Sequence, residues 1–144
     1  MKLIDLNLLI YAINRDSPYY KTAHKWWENC LSENETIGFS WIVVLGFLRL
    51  TTSSLLFPNP LTSDQAMDLM DEWLMQPPSR IILPTERHWD IFKQIISPLG
   101  TAGNLTTDAH LAALAVEYGA TLCSTDNDFS RFQFVKWVNP LLLI

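Results

Sequence analysis

The first third of this chain shows two patterns of apolar residues in succession. The continuous run Met1–Ile4 ends on an acid, which is typical of a short buried strand, and Asn7–Ile13 continues with helical spacing. Pro18 stands where a second helix can begin, and the apolar positions from there to Leu31 recur at intervals of three and four. The pattern therefore predicts one strand followed by two helices.

The middle of the chain is predicted to be helical. Ser40 is a suitable N-cap for a third helix over Trp41–Leu50, and the segment Leu56–Pro60 contains two prolines that interrupt the pattern. Helical spacing returns over Thr62–Met75 and stops at Pro77. No strand is predicted between the second and fourth helices.

The second half alternates between the two types of element. Strands are predicted at 80–83, 120–123 and 134–138, and helices at 86–96 and 107–118, the last closed by Gly119. Strands separated by helices indicate a mostly parallel sheet covered on both faces, so we expect an α/β protein with three layers, α/β/α. Without a repeat or a linker, residues 1–144 are predicted to form one domain.

Composition narrows the class of protein. Of the 144 residues, 49% are hydrophobic, which predicts a compact core and excludes wholesale disorder. Nothing in Met1–Asp5 resembles a leader, and the longest apolar stretch, Trp41–Leu48, is too short to span a membrane. Cys30 and Cys123 are predicted to be reduced, so we expect a cytoplasmic protein. The net charge of −5 disfavours nucleic-acid binding by electrostatic attraction alone.

Three aspartates are the candidates for chemistry. Asp5 and Asp126 each follow a predicted strand, and the carboxyl ends of parallel strands meet at one edge of the sheet. Asp108 opens a predicted helix, where favourable interaction with the helix dipole is the ordinary explanation for an acid. At 100° per residue, His110 and Glu117 lie about 200° and 180° from Asp108, so we do not count Glu117 as a ligand.

Three acids at one edge would repel each other unless a cation were present. Hard oxygen ligands favour Mg²⁺, with Mn²⁺ as an alternative, and such an ion can hold a phosphodiester. Asn7, Thr125 and Asp128 are candidates for orienting ligands or substrate. Their ordinary alternatives are helix caps for Asn7 and Thr125 and a solvated charge for Asp128.

Four segments of the chain carry a recognisable pattern: 5–10 (DLNLLI), 40–52 (SWIVVLGFLRLTT), 108–115 (DAHLAALA) and 124–129 (STDNDF). In this order they resemble the PIN-domain ribonucleases, specifically the VapC toxins of bacterial toxin–antitoxin pairs. The resemblance implies a Mg²⁺-dependent endoribonuclease that cleaves RNA to inhibit translation. It also implies a homodimer neutralised by a VapB-type antitoxin, with Asp5, Asp108 and Asp126 as the catalytic, metal-binding residues.

The sequence departs from this family at one position. PIN nucleases commonly carry a further Glu on the third helix, whereas Ser40–Thr52 contains no acid and Gly46 stands near the expected place. Asp128 is a candidate to replace that acid in part, and Arg49, one helical turn from Gly46, is a candidate contact for phosphate. The ordinary alternative for an arginine on an apolar helix is a snorkelling or ion-paired side chain. The number of metal ions, one or two, stays open.

Two other functions stay open at this point. The missing acid is compatible with a PIN-like binding module that has lost catalysis. The other alternative is a phosphatase or phosphotransferase that uses Asp5 as its nucleophile. The three histidines share no metal-ligand spacing and are interpreted as surface or core residues. The apolar residues Trp26, Trp27 and Phe47 are considered for self-association or antitoxin docking.

Overall fold

A parallel sheet of five short strands organises the computed structural model, which describes residues 1–142. The strands are β1 (Lys2–Ile4), β2 (Ile37–Phe39), β3 (Ser79–Ile81), β4 (Thr121–Cys123) and β5 (Lys136–Val138). Their order across the sheet is β3-β2-β1-β4-β5, and each neighbouring pair is parallel. Since β1 is central, its residues Leu3 and Ile4 are fully buried.

Six helices flank the sheet. They are α1 (Leu6–Ile13), α2 (Tyr20–Ser32), α3 (Trp41–Thr51), α4 (Ser63–Leu74), α5 (His88–Ile96) and α6 (Thr106–Tyr118). Helix α1 packs on α2 and α3, α3 packs on α4, and α5 packs on α6. This arrangement confirms the predicted three-layer α/β/α fold with a parallel sheet.

Strand order places a cleft between β1 and β4. The chain proceeds outward from β1 to β2 and β3, then returns to the other side of β1 to add β4 and β5. In open α/β sheets, ligands bind beyond the carboxyl ends of the strands where the order reverses. The backbone N–H of Asp5 donates to the carbonyl of Cys123 at 3.0 Å, so the residues that follow β1 and β4 share this edge.

Local sequence signals account for most helix boundaries. The hydroxyl of Ser40 accepts from the N–H of Val43 at 3.3 Å and begins α3, as predicted. Thr62 caps α4 with a reciprocal bond from Gln65, and Gly119 closes α6 at a φ of 60°. The predicted helices therefore agree with the structure to within one or two residues at these ends.

Strand β2 is the element that the apolar pattern did not predict. It has only three residues, Ile37–Phe39, and its middle residue is Gly38, which disfavours a strand in isolation. A Cβ on Gly38 would lie 3.2 Å from Ile82 Cδ1 and 3.3 Å from Met1 Sδ. Glycine therefore fits where neighbouring side chains occupy the space that a side chain at position 38 would need, and tertiary packing decides the conformation of this segment.

An aromatic cluster fills the core beneath α2, α3 and α4. The rings of Trp27, Phe39, Phe47 and Trp73 contact each other with centroid distances of 5.1–5.9 Å. Trp27 and Phe47 are 1% and 0% exposed, so they are core residues and the interpretation of these two as a docking surface was wrong. Among residues 1–142, no helix combines the length and apolar character needed to cross a membrane.

Candidate metal centre

Asp5 is held firmly at the carboxyl end of β1. It is the N-cap of α1, and its Oδ1 accepts from the N–H of Leu6 at 2.8 Å. Its Oδ2 accepts from the hydroxyl of Ser124 at 2.7 Å and from Nδ2 of Asn7 at 3.4 Å. With 8% of its surface exposed, Asp5 is the acid of the site with the most restricted side chain.

Ser124 connects the two strand ends and was not among the predicted site residues. Its hydroxyl donates to Asp5 and accepts from Nδ2 of Asn7 at 3.1 Å and from the N–H of Asp126 at 3.0 Å. The residue is fully buried directly after β4. The only feature of the sequence that could have indicated Ser124 as a site residue is its position between a predicted strand and the predicted ligand Asp126.

Three carboxylates converge next to this bridge. One oxygen from each of Asp108, Asp126 and Asp128 lies within 4.8 Å of the others. The predicted trio was Asp5, Asp108 and Asp126, with Asp128 in a supporting role. The structure brings Asp108 and Asp126 together with Asp128, while Asp5 stands beside this group and is linked to Asp126 through Ser124.

Electrostatic repulsion is concentrated on Asp108. Burial, followed by the charges of Asp5, Asp126 and Asp128, raises the pKa of Asp108 to about 6. Burial also raises the pKa of Asp5, although hydrogen bonds from Ser124 and Leu6 oppose the change. A carboxylate whose pKa is raised by neighbouring acids is stabilised in its charged form when a cation binds between them.

Asn7 and Thr125 were considered as helix caps, but the caps at this edge of the sheet are Asp5 and Asp126. Asp5 caps α1, and Asp126 caps the following 3-10 turn by accepting from the N–H of Asp128 at 2.9 Å. Asn7 instead spans the two strand ends, since its Oδ1 accepts from the N–H of Thr125 at 3.4 Å. Thus Asn7 and Thr125 position the loop after β4.

Helix α3 contributes a glycine and an arginine near the site. A Cβ on Gly46 would lie 2.7 Å from Leu6 Cδ2, so Leu6 occupies the space that a side chain at position 46 would need. Arg49 is exposed, forms no ion pair with another residue of the described chain, and precedes Leu50, which lines a cleft with Asp5 and Asn7. The structure gives Arg49 no contact with the acids.

The donor set fits a hard divalent cation. Octahedral Mg²⁺ with ligand distances of about 2.1 Å separates its oxygen ligands by about 3–4 Å. Carboxylates already within 4.8 Å of one another need only small side-chain adjustments to meet that requirement. Asp108, Asp126 and Asp128 can therefore hold such an ion, and Asp5 adds negative charge next to it.

A second polar group lies away from these acids and was missed in the sequence. Glu117 accepts from the backbone N–H and the hydroxyl of Thr85 at 2.7 and 2.6 Å, and it contacts Nδ1 of His88. Nε2 of His88 lies 2.9 Å from Nδ1 of His110. His88 and His110 were interpreted as surface or core residues, and both are partly buried. Their contact was not predicted, because 22 positions separate them in the sequence.

The contacts among Glu117, His88 and His110 change the pKa of Glu117 and of His110. Burial would raise the pKa of Glu117, but hydrogen bonds from His88 and Thr85 outweigh it and the pKa is lowered. Burial, reinforced by His88, lowers the pKa of His110. The prediction that Glu117 turns away from Asp108 agrees with these contacts, since Glu117 binds Thr85 and His88.

Comparison with known proteins identifies the family. Residues 2–135 match the family model of the PIN domain. The chain is 42% identical over 144 residues to Ribonuclease VapC37 of Mycobacterium tuberculosis, and the alignment covers all of both chains. It is 40% identical over 141 residues to Ribonuclease VapC33 of the same species, covering 98% of this chain and 99% of the relative.

A solved structure supports the fold at lower identity. VapBC2 from Rickettsia felis, bound to a DNA fragment from its promoter, superposes with a TM-score of 0.70 at 21% identity, covering 96% of this chain and 97% of that one. At this identity the likeness concerns the fold, and it matches the five-stranded sheet described above. The family match and the full-length identity show that this chain belongs to the PIN-domain family and, within it, to the VapC ribonucleases.

Proposed function

We propose that this protein is an endoribonuclease toxin that hydrolyses RNA phosphodiester bonds with the help of Mg²⁺, or alternatively Mn²⁺. The observation that carries the proposal is the convergence of Asp108, Asp126 and Asp128 beside Asp5 at the point where the strand order reverses. The relatives with which the chain aligns end to end are named ribonucleases.

The acids have distinct roles in this proposal. Asp108, Asp126 and Asp128 hold the cation, and Asp5 adds a buried negative charge whose orientation is fixed by Ser124. A bound divalent ion supplies Lewis-acid activation of water and neutralises charge that develops on the phosphate. Without a cation, a protein of net charge −5 presents an acidic edge that repels RNA.

Substrate would enter from the side of α1 and α3. A cleft of about 340 Å³ begins at Asp5 and is lined by Asn7, Tyr11 and Leu50 among others. Arg49 adjoins Leu50 and has a free guanidinium, so it is the candidate contact for a phosphate of the RNA. Asn7 fixes the wall of this cleft through its bonds to Ser124 and Thr125.

Regulation by a VapB-type antitoxin belongs to the same proposal. Structural neighbours of this chain are VapBC complexes, including that of Rickettsia felis. An antitoxin that places a basic side chain among the acids would displace the cation and block cleavage directly. The protein would act in the cytoplasm, where RNA and a co-produced antitoxin are both present.

The test is cleavage of a structured RNA by purified full-length protein. Asp126→Asn keeps the shape of the side chain and removes one charge from the cluster, so we expect RNA cleavage to fall at least 100-fold with folding intact. Asp68→Asn, which alters an exposed acid of α4, is the matched control and should cleave like wild type. EDTA should abolish wild-type cleavage, and Mg²⁺ or Mn²⁺ should restore it.

Two results would contradict the proposal. Cleavage that persists unchanged in EDTA would remove the cation from the reaction. Equal activity, or equal toxicity on expression without an antitoxin, of wild type and Asp126→Asn would favour the alternative of a catalytically impaired binding module, which the glycine at position 46 motivates.

A further inference from the structure

A chain of three polar side chains joins α5 to α6 on the side of α6 that faces away from the acids. The carboxylate of Glu117 contacts Nδ1 of His88, and Nε2 of His88 lies 2.9 Å from Nδ1 of His110. The Glu117 side chain has no solvent exposure, and that of His88 is 17% exposed. Neither histidine contributes to the proposed nuclease chemistry.

The contacts determine which nitrogen of His88 can bind a ligand. An ionised carboxylate only accepts hydrogen bonds, and Glu117 already accepts two from Thr85. Nδ1 of His88 therefore carries a proton, and in the neutral ring the lone pair of Nε2 is directed toward His110. In metalloproteins a carboxylate that receives one ring N–H in this way orients the other nitrogen for a metal.

The spacing of the two rings suits one shared ion. Metal–imidazole bonds of about 2.0–2.1 Å place two neighbouring nitrogen ligands about 2.9–3.4 Å apart. The observed separation of 2.9 Å between His88 Nε2 and His110 Nδ1 is at the short end of that range. A small opening of the two rings would allow both nitrogens to point at a common ion.

Room for the remaining ligands is provided by an open cleft. A cavity of about 290 Å³ adjoins both histidines and is lined also by Ile42, Phe92 and Thr107. Water molecules can fill the other coordination positions from this cleft. The apolar lining lowers the local dielectric and strengthens the bond between a cation and its ligands.

We propose that His88 and His110 form a binding site for a first-row transition-metal ion such as Zn²⁺ or Ni²⁺, with Glu117 orienting His88. The ligand chemistry separates this site from the carboxylate cluster, because imidazole favours Zn²⁺, Ni²⁺ and Cu²⁺ whereas carboxylates favour Mg²⁺ and Mn²⁺. His110 would bind the ion through Nδ1 and carry its proton on Nε2. Its proton moves from one ring nitrogen to the other, so the ring stays neutral and releases no proton.

Such an ion would cross-link two helices. His88 is the first residue of α5, and His110 lies in the second turn of α6, two residues after Asp108. Because the two ligands converge only in the folded protein, the ion stabilises the native state, and the gain rises with the logarithm of its concentration over its dissociation constant. We therefore expect Zn²⁺ to raise the melting temperature of the whole protein.

The test is Zn²⁺ binding to the full-length protein by isothermal titration calorimetry, in millimolar Mg²⁺ to fill the carboxylate cluster. We expect one Zn²⁺ per chain for wild type and for Asp126→Asn, and loss of that binding in His88→Gln and in His110→Gln. His24→Gln is the matched control, since His24 contacts the carbonyl of Ala12 on another helix. Glu117→Gln keeps both ligands and should weaken binding roughly 10–100-fold.

Electron paramagnetic resonance of the Cu²⁺-loaded protein gives a readout of the ligands themselves. Hyperfine splitting from two imidazole nitrogens is expected in wild type and from one in His110→Gln. Zn²⁺ binding that is lost in Asp126→Asn but kept in the histidine variants would overturn the proposal, as would absence of binding in excess Mg²⁺. RNA cleavage in Mg²⁺ alone tests the nuclease independently, so the two proposals can fail separately.

Discussion

Burial and neighbouring acids raise the pKa of Asp108. Its pKa of about 6 lies above the ordinary value of 3.8, so the native state holds the proton more tightly than the unfolded chain does. Ionising Asp108 consequently costs native stability. That cost is absent below about pH 4, grows as the pH rises, and is complete above about pH 6.

Replacing Asp108 by Asn should therefore stabilise the protein when no metal is present. At pH 7.5 in EDTA, we expect Asp108→Asn to raise the melting temperature by roughly 2–4 °C, which corresponds to about 1 kcal/mol after solvent screening. The gain should disappear at pH 4, where the native carboxyl is already protonated. Calorimetric melting at both pH values checks this, and a gain of the same size at pH 4 would contradict it.

Adding Mg²⁺ should reverse the order of the melting temperatures, so that wild type melts above Asp108→Asn. The ion stabilises wild type through the cluster, whereas Asp108→Asn has lost one of its ligands. Asp68→Asn serves again as the control and should melt with wild type under every condition.

At the scale of elements, the helices could be predicted from residues close together in the sequence. The strands of the sheet depend on contacts between residues that are far apart in the sequence. Ser40 begins α3 through a local hydrogen bond and Gly119 closes α6 through its backbone preference, so both roles can be predicted from the sequence. Strand β2 is three residues long and contains Gly38, so only its pairing with β1 and β3 makes it a strand. Short central strands carry little periodicity of their own.

The same distinction applies to the site. Asp5 and Asp126 follow strands, and this position made them visible as candidates. Ser124 was missed because serine after a strand is common, and its role arises from the approach of Asp5 and Asn7 across more than a hundred residues. Whether Asp5, Asp108 and Asp126 act as predicted is decided by the cleavage and binding experiments.

The contact between α1 and α3 explains why glycine fits at position 46. Leu6 fills the space beside Gly46, where a Cβ would lie only 2.7 Å from Leu6 Cδ2. In a Leu6→Ala background, we expect Gly46→Ala to raise the free energy of unfolding by about 0.5–1 kcal/mol, the usual gain over glycine inside a helix. In the wild-type background the gain should shrink or change sign, because Leu6 must move.

Urea unfolding of the two single variants and the double variant measures this coupling. Identical effects of Gly46→Ala in both backgrounds would show that Leu6 does not limit the space at position 46.

At the scale of the whole molecule, an exposed apolar side of α3 is the candidate surface for the homodimer that the family resemblance implies. Trp41 and Leu45 lie one helical turn apart and are 51% and 58% exposed. Burying two such side chains in a second copy removes apolar surface from water, which favours association. The proposed dimer therefore uses the outer side of α3, in place of the buried Trp27 and Phe47.

A charge placed on this surface should separate the protomers. We expect Leu45→Glu to shift the mass measured by light scattering from dimer to monomer at micromolar concentration. Leu55→Glu is the matched control, since Leu55 is 98% exposed in the loop after α3 and should leave the dimer intact. A dimer that withstands Leu45→Glu would exclude this side of α3 as the interface.

The position of β1 has a consequence for the timing of activity during synthesis. The first strand to leave the ribosome is the middle of the sheet, but its neighbour β4 and the acids Asp108, Asp126 and Asp128 come from the last quarter or so of the chain. A nascent polypeptide therefore carries Asp5 without the other carboxylates until translation is nearly finished. The cation-binding group proposed above is therefore complete only after Asp128 has been synthesised.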